Sequence, residues 1–146
     1  MSLTAIKAFV PLADDIGTSG QPTREQFAGI AAAGYDAVVN LALPTSDNAI
    51  PDEGALVTGL GMAYFHVPVI FESPTQDDLR LFLGVMHSLE GRKKWVHCAA
   101  NLRVSAFCYH YLRGVRGLDE AAARSPVLEQ WAPTMSDAWK NFLTLV

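Results

Sequence analysis

The segment His97-Cys98-Ala99-Ala100-Asn101-Leu102-Arg103 places a thiol and a guanidinium at the two ends of one short stretch, an arrangement able to hold an oxyanion over a sulfur nucleophile. Lys94-Trp95-Val96 reads as the end of a β-strand. From about Leu102 through Tyr111 the apolar residues Val104, Phe107, Cys108 and Tyr111 recur at three and four positions, which predicts a helix. The stretch between is then a helix N-terminus. Free N–H groups and the positive end of the helix dipole bind anions there and favour a thiolate over a thiol. Arg103 adds a planar fork of donors suited to two oxygens of a phosphate or sulfate. A cysteine followed by apolar residues and an arginine also arises by chance, with Cys98 a core thiol and Arg103 a solvated helix residue. The strand before and the helix after are the context that favours the anion cradle.

These residues resemble the phosphate-binding loop of cysteine-dependent phosphatases of the tyrosine and dual-specificity type. They are similar in particular to the small bacterial branch called beta-lactamase-hydrolase-like phosphatases. Three more places carry the likeness: Thr18-Ser19-Gly20-Gln21-Pro22, Val38-Val39-Asn40-Leu41 after Gly34-Tyr35, and Val67-Pro68-Val69 leading to Ser73-Pro74-Thr75. It runs from about residue 14 to at least residue 115. The resemblance implies Cys98 as nucleophile, with Arg103 and the backbone of Ala99, Ala100, Asn101 and Leu102 around the phosphate.

The chain departs from that pattern in three ways. Four residues, Ala99 through Leu102, separate Cys98 from Arg103, where the usual phosphatase loop has five. The shorter loop occurs in the bacterial branch and also in rhodanese-type sulfurtransferases, which carry a persulfide. Asn101 stands where both groups commonly have glycine, and asparagine is the least costly substitute if that position needs a positive φ. The hydroxyl residue that normally follows the arginine is displaced by Val104, so its role, stabilising the leaving thiolate, passes to Ser105.

The elements that must position this loop alternate along the chain. Ile6 to Val10 and Ile16 to Ser19 read as strands. Thr23 reads as a helix cap with Gln26 three residues on, and Gly34 as the stop. Ala37 to Leu41 is a strand, Asp52 to Leu60 a helix, and Ala63 to Val69 a strand. Thr75 and Asp78 open a helix with Leu79, Phe82, Leu83, Met86 and Leu89 on one face. After the Cys98 loop and its helix come a short helix, Leu118 to Arg124, broken before Pro126, and a last helix capped by Thr134 with Asp137. The expected fold is an α/β domain over residues 1–146, with a mostly parallel sheet of four to five strands flanked by helices.

In such a sheet ligands lie beyond the carboxyl ends of the strands, so the loops after Leu41 and Val69 should share a rim with Cys98. A phosphatase needs an acid for the leaving oxygen and later a base for water. Glu72 is the one ionisable residue of Ile70-Phe71-Glu72-Ser73-Pro74 and is the candidate, with a solvated loop glutamate as the plain alternative and Asp47 as an alternate acid. His97 would orient the loop or tune the thiolate through a hydrogen bond. Gln21 either faces the site or fixes its turn.

Composition fits a small enzyme. The chain has 146 residues, 50% of them hydrophobic, a net charge of −4 and no long lysine/arginine cluster, which argues against nucleic acid or an anionic membrane as partner. No apolar run nears the roughly 20 residues that span a bilayer, and Met-Ser-Leu-Thr-Ala lacks a leader's basic region, so the expected location is cytoplasmic. Cys108 reads as a core thiol. His66, His87 and His110 have no metal-ligand spacing, so no metal is expected, and the chemistry calls for no cofactor. The sequence thus points to a phosphate monoester hydrolase acting on a phosphorylated small molecule or phosphoprotein. The alternatives are a rhodanese-like sulfurtransferase and a phosphate-binding domain without turnover.

Overall fold

Short runs rich in valine and aromatic residues form five strands: β1 (Val10–Ala13), β2 (Ile16–Ser19), β3 (Ala37–Asn40), β4 (Ala63–His66) and β5 (Lys94–His97). The structure, a computed structural model, describes residues 2–145. The strands lie in the order β1-β2-β5-β3-β4, with β1 antiparallel to β2 and every other pair parallel. This is the mostly parallel α/β sheet expected from the sequence. β5 runs between β2 and β3, so the residues that follow it emerge at the middle of the rim.

Both faces are covered, and strand periodicity decides what goes where. Ala37 and Val39 of β3 and Val96 of β5 point into one core, with Phe82 and Met86 of α3 (Gln76–Ser88), Val104 and Phe107 of α4 (Leu102–Gly114), and Trp139 of α7 (Asp137–Leu143). Val38 and Trp95 point the other way, against Phe27 and Ile30 of α1 (Arg24–Ala32) and Val57 of α2 (Glu53–Gly59). The capping boxes expected at Thr23/Gln26 and Thr75/Asp78 are both formed.

The N-terminal strand differs from expectation. Leu3–Ala5 form a 3-10 turn, Ile6 is buried among the residues of the α1 face, and Ala8 takes a φ of 52°, so extended backbone starts only at Val10. In the C-terminal third, Pro126 begins a helix instead of barring one. After α5 (Glu120–Ala123), Ser125 caps α6 (Pro126–Trp131), whose first turn suits proline because its missing N–H would have no partner. The last helix is capped by Ser136, while Thr134 ends a 3-10 turn. Among the described residues no helix is long and apolar enough to cross a membrane.

Candidate active site

Cys98 leaves the end of β5 and Leu102 starts α4, so residues 98–101 make the turn from the sheet rim into the helix. Asn101 stands at the N-cap with φ 68°, the left-handed conformation expected of it. Its side chain does more than tolerate that angle: Nδ2 donates to the Ala8 carbonyl at 2.8 Å and to Thr18 Oγ1 at 3.2 Å, tying the loop to the N-terminal segment. Gly20 lies so close to the loop that a Cβ there would come within 2.7 Å of the Ala99 oxygen. The Ser-Gly-Gln-Pro turn therefore has glycine where two backbones touch.

The carbonyls of the loop face protein donors. That of Cys98 accepts from His97 Nδ1 at 3.2 Å, and that of Ala99 accepts from the Gln21 amide at 3.1 Å and from Asn48 Nδ2 at 3.2 Å. In a trans peptide the N–H of the next residue points opposite to the carbonyl, so the amides of Ala99 and Ala100 turn the other way. Among the described residues, the amides of Ala99, Ala100, Leu102 and Arg103 donate to no protein acceptor. They are free to take an anion.

Arg103 is 6% exposed and folds back towards the loop after β4. Nη1 donates to the Val69 carbonyl at 3.0 Å and the guanidinium lies 5.6 Å from the centre of the Phe71 ring. Its Nε is a buried donor without a partner, the one such side-chain atom among the described residues. A buried, unpaired donor on a cation is costly, and an oxygen of a bound anion would relieve it. The contacts of Asn48 with Ala99 and of Arg103 with Val69 join the loops after β3 and β4 to the Cys98 turn.

Behind the turn runs a buried polar chain. His97 Nε2 lies 2.7 Å from Glu53 Oε2, and Gln21 Nε2 donates to Glu53 Oε1 at 2.6 Å. His97 and Gln21 thus back the loop and are not placed to touch a substrate. Glu53 was not singled out in the sequence; following Asp52 at the start of α2, it looks like a first-turn acid that complements the helix dipole. Burial pushes its carboxyl up, but the hydrogen bond and charge of His97, with hydrogen bonds from Gln21 and Tyr64, bring it below the ordinary glutamate value.

Ser105 is buried and its hydroxyl donates to the Leu102 carbonyl at 2.6 Å, within the first turn of α4. Cys98 is 1% exposed. Burial, with Cys98 nearby, pushes the Cys108 thiol up to about 12, which keeps it a neutral core group. Glu72 is exposed in the turn next to Phe71, and Asp47 is exposed in the loop that carries Asn48.

Comparison with known proteins gives one direction. Among solved structures, a candidate phosphatase of the DUF442 group from Shewanella putrefaciens CN-32 matches with a TM-score of 0.87 and 34% identity, over 97% of this chain and 92% of that one. Tk-PTP shares the fold, with a TM-score of 0.73 and 22% identity over 93% of each chain. Among curated proteins, a beta-lactamase hydrolase-like protein of Xylella fastidiosa (strain Temecula1) is 32% identical over 97 residues, 64% of this chain. The chain spans 22% of the length of that relative. No family model matches.

Proposed function

The chain belongs to the DUF442 group within the tyrosine and dual-specificity phosphatase superfamily, and from that premise we propose that it hydrolyses phosphate monoesters through a phosphocysteine at Cys98. The observation that carries this reading is the buried Nε of Arg103, unpartnered at the mouth of a helix whose loop amides are also free. Loop amides and a guanidinium together suit a dianion whose charge is spread over three equatorial oxygens in the transition state.

The steps follow from the placement. The Cys98 thiolate attacks phosphorus, the S–P bond forms, and the ester P–O bond breaks. Glu72, on the turn beside Arg103, gives its proton to the departing oxygen. Water then attacks the phosphocysteine, Glu72 takes a proton from it, and the S–P bond breaks to return thiolate and release phosphate. No metal or cofactor enters either step.

Hydrolysis of p-nitrophenyl phosphate by the wild type and by Cys98→Ser tests this reading. It requires turnover in the wild type and none in the variant. An inactive wild type that moves sulfur from thiosulfate to cyanide would replace it with sulfur transfer, the chemistry that a loop of four residues between Cys98 and Arg103 also fits.

A further inference from the structure

We propose that Glu53 is a positioning residue for the Cys98 loop, orienting the loop's peptide planes beside the nucleophile through His97 and Gln21. The inference rests on the phosphocysteine reading of the site and deepens it.

Glu53 reaches the loop by two routes. Through His97 it meets the Cys98 carbonyl, and through Gln21, whose amide donates to Ala99, it meets the next one. Fixing two successive carbonyls on this side fixes the amides of Ala99 and Ala100 on the other, where an anion would sit. A carboxylate 3% exposed is a costly way to cap or pack a helix, since an apolar residue would fill the same space without desolvating a charge.

The hydrogen bonds of His97 hold it from both ends. Nε2 faces the Glu53 carboxylate and Nδ1 faces the Cys98 carbonyl, both acceptors. The ring is therefore fixed by one bond to the helix and one to the loop, and cannot turn without breaking both. Around this pair, Tyr64 and Gln21 face the carboxylate, His66 lines the same small cavity beyond it, and the Phe27 ring meets His97 edge-on. Replace the carboxylate by an amide and one of the two oxygens that hold His97 and Gln21 becomes a donor, so one of the two routes to the loop is lost.

The test is the rate of iodoacetate labelling at Cys98 at fixed pH, followed by mass spectrometry in wild type and Glu53→Gln, with iodoacetamide as the uncharged comparison. Labelling needs no turnover, so failure of this proposal and failure of the phosphatase reading are told apart. Amides held towards an anion favour iodoacetate, so its rate relative to iodoacetamide should fall about tenfold in the variant. A folded variant with lower melting temperature but an unchanged ratio would reduce Glu53 to a structural role and overturn the proposal. If Glu53→Gln does not fold, Glu53→Asp, one methylene shorter, is read in the same way: a lower ratio is expected, and a ratio equal to wild type would overturn it.

Discussion

Trp139 Nε1 donates to the carbonyl of Phe71 at 2.7 Å, tying the last helix to the turn that carries Glu72. The same Phe71 ring packs against Trp139 and Trp131 on one side and lies near the Arg103 guanidinium on the other. One aromatic cluster therefore meets both the turn of the candidate acid and the arginine proposed to bind the anion.

Trp139→Phe keeps a ring in the core and deletes the hydrogen bond. It should cost about 1–2 kcal/mol of stability from the lost bond and the smaller ring. It should also slow hydrolysis several-fold, because the Glu72 turn loosens. Urea denaturation and steady-state rates check both; unchanged rates would mean the turn holds its place without this bond.

Glu72→Gln should separate substrates by leaving group. Proton donation matters most for a poor leaving group, so turnover of phenyl phosphate should fall about 100-fold while p-nitrophenyl phosphate falls much less. Equal losses on both substrates would take the acid role away from Glu72.

At Asn101 two costs can be pulled apart. Asn101→Gly keeps the positive φ and loses the bonds to Ala8 and Thr18, for about 1–2 kcal/mol. Asn101→Ala loses the same bonds and adds about 1 kcal/mol of left-handed strain. The alanine variant should thus be the less stable in thermal melts; the reverse order would mean that the left-handed angle costs nothing here, since both variants lose the same bonds.

Acid should destabilise the fold from the carboxylate range downward. The Arg116 hydrogen bond, working against burial and helped by Lys94, holds Asp15 well below the usual aspartate value, and Glu53 is also held low. Groups with depressed folded values are protonated first in the unfolded chain. Their contribution is therefore complete above the ordinary carboxylate range, near pH 4, and is lost progressively as pH falls from there through their lower folded values. Lys94 is fully buried on Asp15 and on the carbonyls of Leu89 and Arg92, so Asp15→Asn should lower stability at neutral pH by about 1–2 kcal/mol. The variant should also show a shallower loss between neutral pH and pH 3 in urea midpoints; a slope equal to wild type would place the acid sensitivity elsewhere.

What could be read from the sequence was local. Strand, loop and helix around Cys98 follow from Lys94-Trp95-Val96 before the loop and a three-and-four spacing after it, and the angle at Asn101 follows from residue chemistry. The capping boxes at Thr23 and Thr75 are likewise written in adjacent residues. What escaped was long-range. Glu53 meets His97 across 44 positions, and a glutamate in a helix's first turn gives no sign that it will be buried. Ile6 to Val10 has the composition of a strand, yet the left-handed angle at Ala8 breaks it where Asn101 claims the Ala8 carbonyl. Proline before Val127 reads as a stop until Ser125 is seen to cap a new helix around it.

The central claim, a phosphocysteine at Cys98, is tested most directly by rapid acid quench of the enzyme turning over p-nitrophenyl phosphate, followed by peptide mass spectrometry. The account predicts one phosphoryl group on the peptide containing Cys98, absent in Cys98→Ser. Turnover with the phosphoryl group on another residue, or turnover that survives in Cys98→Ser, would contradict it.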